Sequence, residues 1–401
     1  MEKLKVLSLF SGIGAFEKAL TNIGVNYKLV NYCEVDKYAS KSYSLIHNVD
    51  ESLNLGDITK IEIDKLNDFD LLTHGSPCQD FSIAGRQEGG DKELNTRSSL
   101  MWNTVEIIKV KKPKYVIWEN VKNVLSKRHR HNFDKYIREL NELGYTSYHK
   151  VLNSKDFGVP QNRERIFVVS ILEEHKPYEF PQGFDLKVKL RDVLEDKVDE
   201  KFYMNKPFNL INKEKVNSAC NQVAKLEMKG NDCIRRVYDV DYCSPTLSTC
   251  GGGNTEAKIL EVKSCASRGR YNESGKIEQQ LEVRKDGVSN CLTSVQTDAL
   301  VQENIIIDDT QGFDGVRYYE DYSPTLRAGR SGLKTITESR VRKLTPREYW
   351  RLQAFSDKDF DKCIGAKISN SQLYKQAGNS ITVKVLEYIF KELFKNSTYY
   401  L

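Results

Sequence analysis

The stretch that most limits what this chain can fold into is Lys5-Val6-Leu7-Ser8-Leu9-Phe10, followed by Ser11-Gly12-Ile13-Gly14 and a helical pattern through Leu20. A short apolar run of this kind reads as a buried strand. Strand, glycine-rich turn and helix together form the first unit of an open α/β sheet, where backbone N–H groups and a helix N-terminus meet a ligand. Two glycines are a weak signal by themselves. The third glycine of the dinucleotide fingerprint is absent, and Glu17 stands in its place. A pyrophosphate would be poorly served by that carboxylate, whereas a ligand with a cationic or zwitterionic end would tolerate it.

The strand pattern then recurs. A second strand over about Lys28 to Cys33 ends at Glu34, which lies 20 residues after Gly14. An acidic side chain there accepts hydrogen bonds from ribose hydroxyls; a solvated strand-end glutamate is the plainer alternative. A third short strand is expected to end at Gly56-Asp57-Ile58, where Asp57 suits an adenine amino group or simply caps a turn. The fourth, Phe69 to His74, runs into Gly75-Ser76-Pro77-Cys78-Gln79-Asp80-Phe81-Ser82. Cys78 thus falls on a loop at the carboxyl end of a strand, the edge where ligands bind. It is either a nucleophile, once its pKa is lowered, or a small buried hydrophobe. The polar, Gly-rich Ala84–Asp91 segment reads as a flap that closes over substrate.

A helix is expected from about Ser98 to Val110, then a fifth strand over Lys114–Trp118 with Glu119-Asn120-Val121 at its carboxyl end. The basic run Ser126–His131 reads as a solvated loop, with phosphate contact as the alternative, before a helix from about Phe133 to Leu143. Tyr145–Leu152 alternates like a strand. Gln161, Arg163 and Arg165 precede the apolar run Ile166–Ser170. Two arginines two apart on an extended segment point the same way. They suit an anion, a base edge or a structural salt bridge.

With 401 residues the chain is long enough for two domains. Its character changes near Pro177, and to about Arg340 the patterns are short and rich in Ser, Thr, Gly and Asn. Ser244-Pro245-Thr246-Leu247-Ser248, Ser289-Asn290-Cys291-Leu292-Thr293 and Ser323-Pro324-Thr325-Leu326-Arg327 form a weak repeat at unequal spacings of 45 and 34 residues. Such polar hairpins can address phosphates and base edges. Helical signals return after Arg340: Thr345-Pro346-Arg347-Glu348 is a capped start. Gln376-Ala377-Gly378-Asn379-Ser380 then precedes an amphipathic helix to about Phe394, expected to pack back on the first domain. The nine cysteines include no C-x-x-C pair, and all six histidines lie at or before His175. Free thiols in a reducing compartment fit better than a zinc site. A net charge of +5 permits nucleic-acid binding without arguing for it. No apolar run approaches a membrane span, and Met1–Lys5 does not open a signal peptide, so a cytoplasmic protein is expected.

Taken in order, these motifs closely resemble the DNA (cytosine-5) methyltransferase family, of bacterial or phage type. The resemblance covers nearly all of the chain outside its middle. It implies a Rossmann-like S-adenosylmethionine-dependent α/β sheet with a smaller, mostly β or irregular target-recognition domain. The expected divisions are residues 1–178 (catalysis and cofactor), 179–340 (target recognition) and 341–401 (helices returning to the catalytic domain). The cofactor implied is S-adenosylmethionine, held by Phe10, Ser11, Gly12, Gly14, Glu34, Val35, Asp57, Ile58, Pro77, Asn379 and Ser380. Some relatives carry an aromatic residue where this chain has Val35, so adenine packing here is expected to be aliphatic.

The resemblance also implies catalysis by Cys78, Glu119, Arg163 and Arg165. Cys78 would add to C6 of a cytosine and make C5 nucleophilic. Glu119 would hydrogen-bond N3 and N4, and Arg165 would hold the base carbonyl. Arg163 fits a structural or phosphate-facing place. The ring is unreachable in a stacked duplex, so the base must be extruded. Gln79, Ser82, Gly85, Arg86, Gln161, Arg236, Thr246, Ser248 and Arg327 are the expected contacts to double-stranded DNA. A monomer is expected, with room for a cognate restriction endonuclease, no metal and no membrane. The rival readings are a tRNA cytosine-5 methyltransferase, disfavoured by the large middle domain, and an inactive DNA-binding regulator, disfavoured by intact Cys78, Glu119 and Arg165. A dehydrogenase is disfavoured by Glu17.

Overall fold

The computed structural model describes residues 3–77, 97–211, 219–261, 265–271, 277–283 and 340–400. The first half forms β1 (Leu4–Leu9), α1 (Ala15–Asn22), β2 (Tyr27–Cys33), α2 (Lys37–His47), β3 (Leu71–His74), α3 (Met101–Lys111), β4 (Tyr115–Val121), α4 (Arg130–Glu142), β5 (Thr146–Asn153) and β6 (Glu164–Ile171). Six strands make one sheet in the order β2-β1-β3-β4-β6-β5. β1 to β4 run parallel, while β6 pairs antiparallel with both β4 and β5. From β1 the chain steps out to β2 and then returns to the other side with β3. The strand order therefore reverses between β1 and β3, the switch point where open α/β sheets hold ligands. The turn after β1 carries Gly12 and Gly14, and the loop after β3 leads to Cys78.

Strand alternation supplies both faces of this sheet. Val6, Leu71 and Ile117 join the core under α1, whereas Leu7, Leu72, Val116 and Trp118 pack with Trp102, Phe133 and Tyr136 of α3 and α4. Parallel strands covered on both sides read as continuous apolar runs, which is why these segments were visible in sequence.

Beyond it lie β7 (Phe208–Leu210), β8 (Gln222–Leu226), α5 (Asp232–Arg235), β9 (Arg236–Tyr238), β10 (Lys258–Glu261), β11 (Cys265–Tyr271), β12 (Ile277–Val283) and β13 (Arg340–Lys343). Five of these strands form a second sheet, β13-β10-β9-β8-β7, around a small core of Ala224, Leu226, Val237, Leu260 and Val341. β11 and β12 pair separately as an antiparallel hairpin.

The chain closes with α6 (Pro346–Arg351), α7 (Asp357–Gly365), α8 (Asn370–Asn379) and α9 (Val383–Phe394). Thr345 and Glu348 form the expected capping box. α9 returns to the first sheet, where Phe390 meets Phe16 of α1 edge-on at 6.4 Å between ring centroids. No helix among the described residues is long and apolar enough to cross a membrane.

Three local expectations change. The third strand, expected to end at Gly56-Asp57-Ile58, reduces to a single bridge between Tyr32 and Asn54 followed by a 3-10 turn. Glu119 lies inside β4, because β6 keeps pairing with β4 as far as Val121. The basic run 126–131 is not a uniformly solvated loop, since His129 is buried and α4 begins at Arg130.

Candidate active site

The turn after β1 bends sharply. Phe10, Gly12 and Gly14 have φ of 53°, 55° and 80°, left-handed values that glycine adopts without strain. The two glycines do different work. A Cβ on Gly12 would meet nothing within 4 Å, so this position faces open space suited to a ligand. A Cβ on Gly14 would lie 2.1 Å from His47 Nε2, so this position lets α1 pack close to α2. Ser11 is buried, and its hydroxyl donates to the Ser8 carbonyl at 2.9 Å. Glu17 requires a correction: its carboxyl is wholly buried in the core rather than facing the cleft. It therefore does not discriminate against a pyrophosphate.

Glu34 stands beside this turn. Its two oxygens accept from the N–H groups of Gly12 and Asp36, both at 2.8 Å. Burial raises its pKa, partly countered by those two donors. Asn54 fixes the strand end: its Oδ1 accepts from Glu34 N at 3.0 Å, and its Nδ2 donates to Glu34 O at 2.9 Å. Nothing in the sequence singled Asn54 out except its place two residues before Gly56. Val35 is 79% exposed, a large apolar surface next to the carboxylate. Asp57 caps the turn, accepting from Thr59 N at 3.0 Å, and this holds its pKa low; Ile58 beneath it is buried.

The second cluster stands at the ends of β3, β4 and β6. Glu119 Oε1 pairs with Arg165 Nε at 3.0 Å. Burial raises the Glu119 pKa, and the Arg165 and Arg163 charges pull it part of the way back. Its Oε2 faces Gly75, where a Cβ would lie 3.6 Å away. Ser76 is buried and Pro77 half-buried on the same loop. Cys78, Gln79, Ser82, Gly85 and Arg86 follow outside the described residues, as does Arg327.

Arg163 and Gln161 belong to the scaffold. Arg163 is buried, and its Nη2 donates to the carbonyls of Ser380 at 2.7 Å and Gly378 at 3.2 Å. It thereby ties the end of α8 to the sheet. Gln161, expected at the DNA, has no exposed surface and donates to Leu352 O at 2.6 Å. Its turn is clamped against Ser244, so the side chain points inward. Asn379 is exposed and Ser380 buried at the end of α8.

The segment between β9 and β10 meets that turn. Ser244 N donates to Pro160 O, and Asn162 N donates to Ser244 O. Thr246 Oγ1 donates to Asn162 O at 2.7 Å, while exposed Ser248 donates to Thr255 O at 3.0 Å. Arg236 and Thr246 line a cavity of about 470 Å³ with Asn162, Cys220, Gln222, Tyr238 and Pro245. Arg236 Nε pairs with Asp232 at 2.8 Å.

The open glycine turn and the Glu119–Arg165 pair thus lie along one sheet, the first after β1 and the second on β4 and β6. The family model for C-5 cytosine-specific DNA methylase matches residues 4–395. The chain belongs to this family. It is accordingly a DNA cytosine methyltransferase. The orphan methyltransferase M.SPBetaI of Bacillus phage SPbeta is 37% identical over 98% of both chains. The orphan methyltransferase M.SPRI of Bacillus phage SPR is 38% identical, again over 98% of each. Among solved structures, the Entamoeba histolytica methyltransferase EhMeth covers 99% of both chains at a TM-score of 0.63 and 16% identity, a likeness of fold.

Proposed function

We propose that this methyltransferase acts on a cytosine extruded from double-stranded DNA, through an adduct between Cys78 and C6. The observation that carries the proposal is the buried Glu119–Arg165 pair facing Gly75, three residues before Cys78 in sequence.

Gly12, Glu34 and Val35 fit S-adenosylmethionine. Gly12 leaves open space, Glu34 offers a carboxylate at its rim and Val35 offers an apolar surface. When bound there, the cofactor supplies an electrophilic methyl group. Glu119 is suited to hold a proton between itself and N3, because burial favours its neutral form. That proton keeps negative charge from building on the ring as the Cys78 sulfur adds. Arg165 anchors the base carbonyl and holds Glu119 in line. Arg163 positions Ser380 and Asn379, which close the cofactor cleft from the C-terminal side.

The second sheet, with Arg236, Thr246 and Ser248 near the junction, reads the target sequence. The protein works as a monomer in the cytoplasm. The orphan names of both phage relatives favour a methyltransferase without an endonuclease partner.

Bisulfite sequencing of duplex DNA after incubation with enzyme and S-adenosylmethionine tests this. Protected cytosines within one sequence context are the expected result, lost in Cys78→Ser while cofactor binding by calorimetry persists. Substantial turnover by Cys78→Ser would remove the nucleophile assignment, and methylation of tRNA in preference to duplex DNA would move the substrate.

A further inference from the structure

The chain between β3 and Cys78 leaves the sheet over an anchor with no part in the chemistry described so far. Trp118 and Asn120 flank Glu119 on β4, so alternation turns them to the opposite face. On that face the Trp118 indole N–H donates to Ser76 Oγ at 2.9 Å. The Asn120 amide lies 3.4 Å from both Ser76 Oγ and Ser76 O. All three side chains are buried, with Trp118 fully so. Trp118 is itself held. Its ring is parallel to that of His74, 5.9 Å away, and 4.4 Å from that of Tyr136. The Tyr136 hydroxyl meets His74 Nε2 at 2.9 Å. Burial pushes the His74 pKa down to about 3, so the imidazole stays neutral and adds no charge under the loop.

We propose that Trp118, acting through Ser76, is a positioning residue for the Cys78 nucleophile. The hydrogen bond fixes where residues 75–77 leave β3, with Glu119 on the other face of β4. A serine hydroxyl buried at this point needs a donor or acceptor, and Trp118 offers one N–H in one direction. The bond therefore constrains the loop at a single defined atom, and a small displacement of a reacting group is costly in rate. Rigid support of this kind is what a nucleophile on a loop otherwise lacks.

The proposal rests on the covalent reading above, and a trapping experiment separates the two. A duplex carrying 5-fluorocytosine is mixed with enzyme and S-adenosylmethionine, and the enzyme–DNA adduct is followed with time. In the trapped species the Cys78 sulfur has bonded to C6 and C5 has taken the methyl group. Fluorine occupies the place of the proton whose removal would expel the thiolate. Absence of any adduct with the wild type would remove the covalent reading itself.

Given a wild-type adduct, Trp118→Phe keeps the ring and loses the N–H, and Ser76→Ala loses the acceptor. Each is expected to slow trapping about tenfold, with cofactor affinity close to wild type and a folded protein at the assay temperature. The double variant should be no slower than Ser76→Ala, which already removes the Trp118 bond together with the longer contact to Asn120. Wild-type trapping rates in both single variants would overturn the proposal. So would multiplication of the two effects in the double variant, or a parallel fall in cofactor affinity.

Discussion

Two arginine–glutamate pairs among the described residues lie largely out of solvent, and their surroundings differ in one respect. Arg342 and Glu348, which join β13 to α6, are both fully buried. The guanidinium donates twice to Glu348, each at 2.8 Å, and its Nε donates to Glu261 at 2.7 Å. Glu348 also accepts from the N–H groups of Thr345 at 2.7 Å and Glu195 at 2.9 Å. Glu119 Oε1 and Arg165 Nε pair at 3.0 Å, with side chains 10% and 15% exposed. Among the described residues, no hydrogen bond reaches Glu119 Oε2, the oxygen that faces Gly75. A saturated pair holds a fold together and has nothing left to offer a substrate. A pair with one oxygen still unengaged at a strand end can exchange a proton with a ring.

The largest effect expected from this contrast is in Glu119→Gln. The amide keeps the shape and loses the transferable proton, so methyl transfer should fall by about 10²–10⁴-fold, while the melting temperature changes little. Single-turnover transfer to duplex DNA measures it, and activity above a tenth of wild type would contradict the proton role. Arg342→Met should do the reverse. Removing one partner leaves Glu348 buried, and Glu261 half-buried, without their cation, at a cost of about 3–5 kcal/mol. Urea unfolding reads that loss, and the protein that remains folded should keep its turnover. A stability change under 1 kcal/mol would mean that the pair is not the joint the geometry describes.

Glu17 sharpens the comparison as a buried carboxyl with no cation. It is wholly buried, and the Ser8 and Tyr43 side chains beside it offset only part of what burial does. Burial raises its pKa from 4.5 to about 7. Below pH 4.5 both folded and unfolded chains hold the proton, so native stability is complete. Between 4.5 and about 7 the unfolded chain loses it first, and stability falls. Above that range the loss levels off at about 3 kcal/mol. Glu17→Gln should therefore melt higher than wild type at pH 8, with the gap closing in acid. Melting curves that stay parallel across that range would show that the carboxyl is not buried as an acid.

Most of the first sheet was legible because parallel strands covered on both faces are continuous apolar runs. The grouping of Glu34 with the glycine turn, and of Glu119 with Arg165, was legible because open α/β sheets bring their strand ends to one edge. Three things were hidden. Gln161 and Arg163 sit in a motif with a catalytic look, yet their partners are carbonyls nearly 200 or more residues away, at Leu352, Gly378 and Ser380. Asp57 reads equally as ligand contact or turn cap, and the cap is a bond to its own neighbour, Thr59. Trp118 looked like one more apolar residue of a strand. Its hydrogen bond to Ser76 depends on the register of β3 against β4, which places His74 opposite Trp118. Pairing register is a property of two segments together, and no single stretch of sequence carries it.

Arg165 offers the finest test, because it separates holding the base from tuning the acid. Its charge favours the ionised form of Glu119 and offsets part of the rise that burial causes. Arg165→Met removes that offset while keeping an apolar stem, so the Glu119 pKa should rise further. If Glu119 must carry its proton during the reaction, the rate falls as pH increases through that pKa. The alkaline limb of the single-turnover profile should then move to higher pH in Arg165→Met, although the rate itself is lower because the base carbonyl has lost a donor. Glu119→Gln should lack that limb altogether. An alkaline limb unmoved by Arg165→Met and still present in Glu119→Gln would assign it to another group.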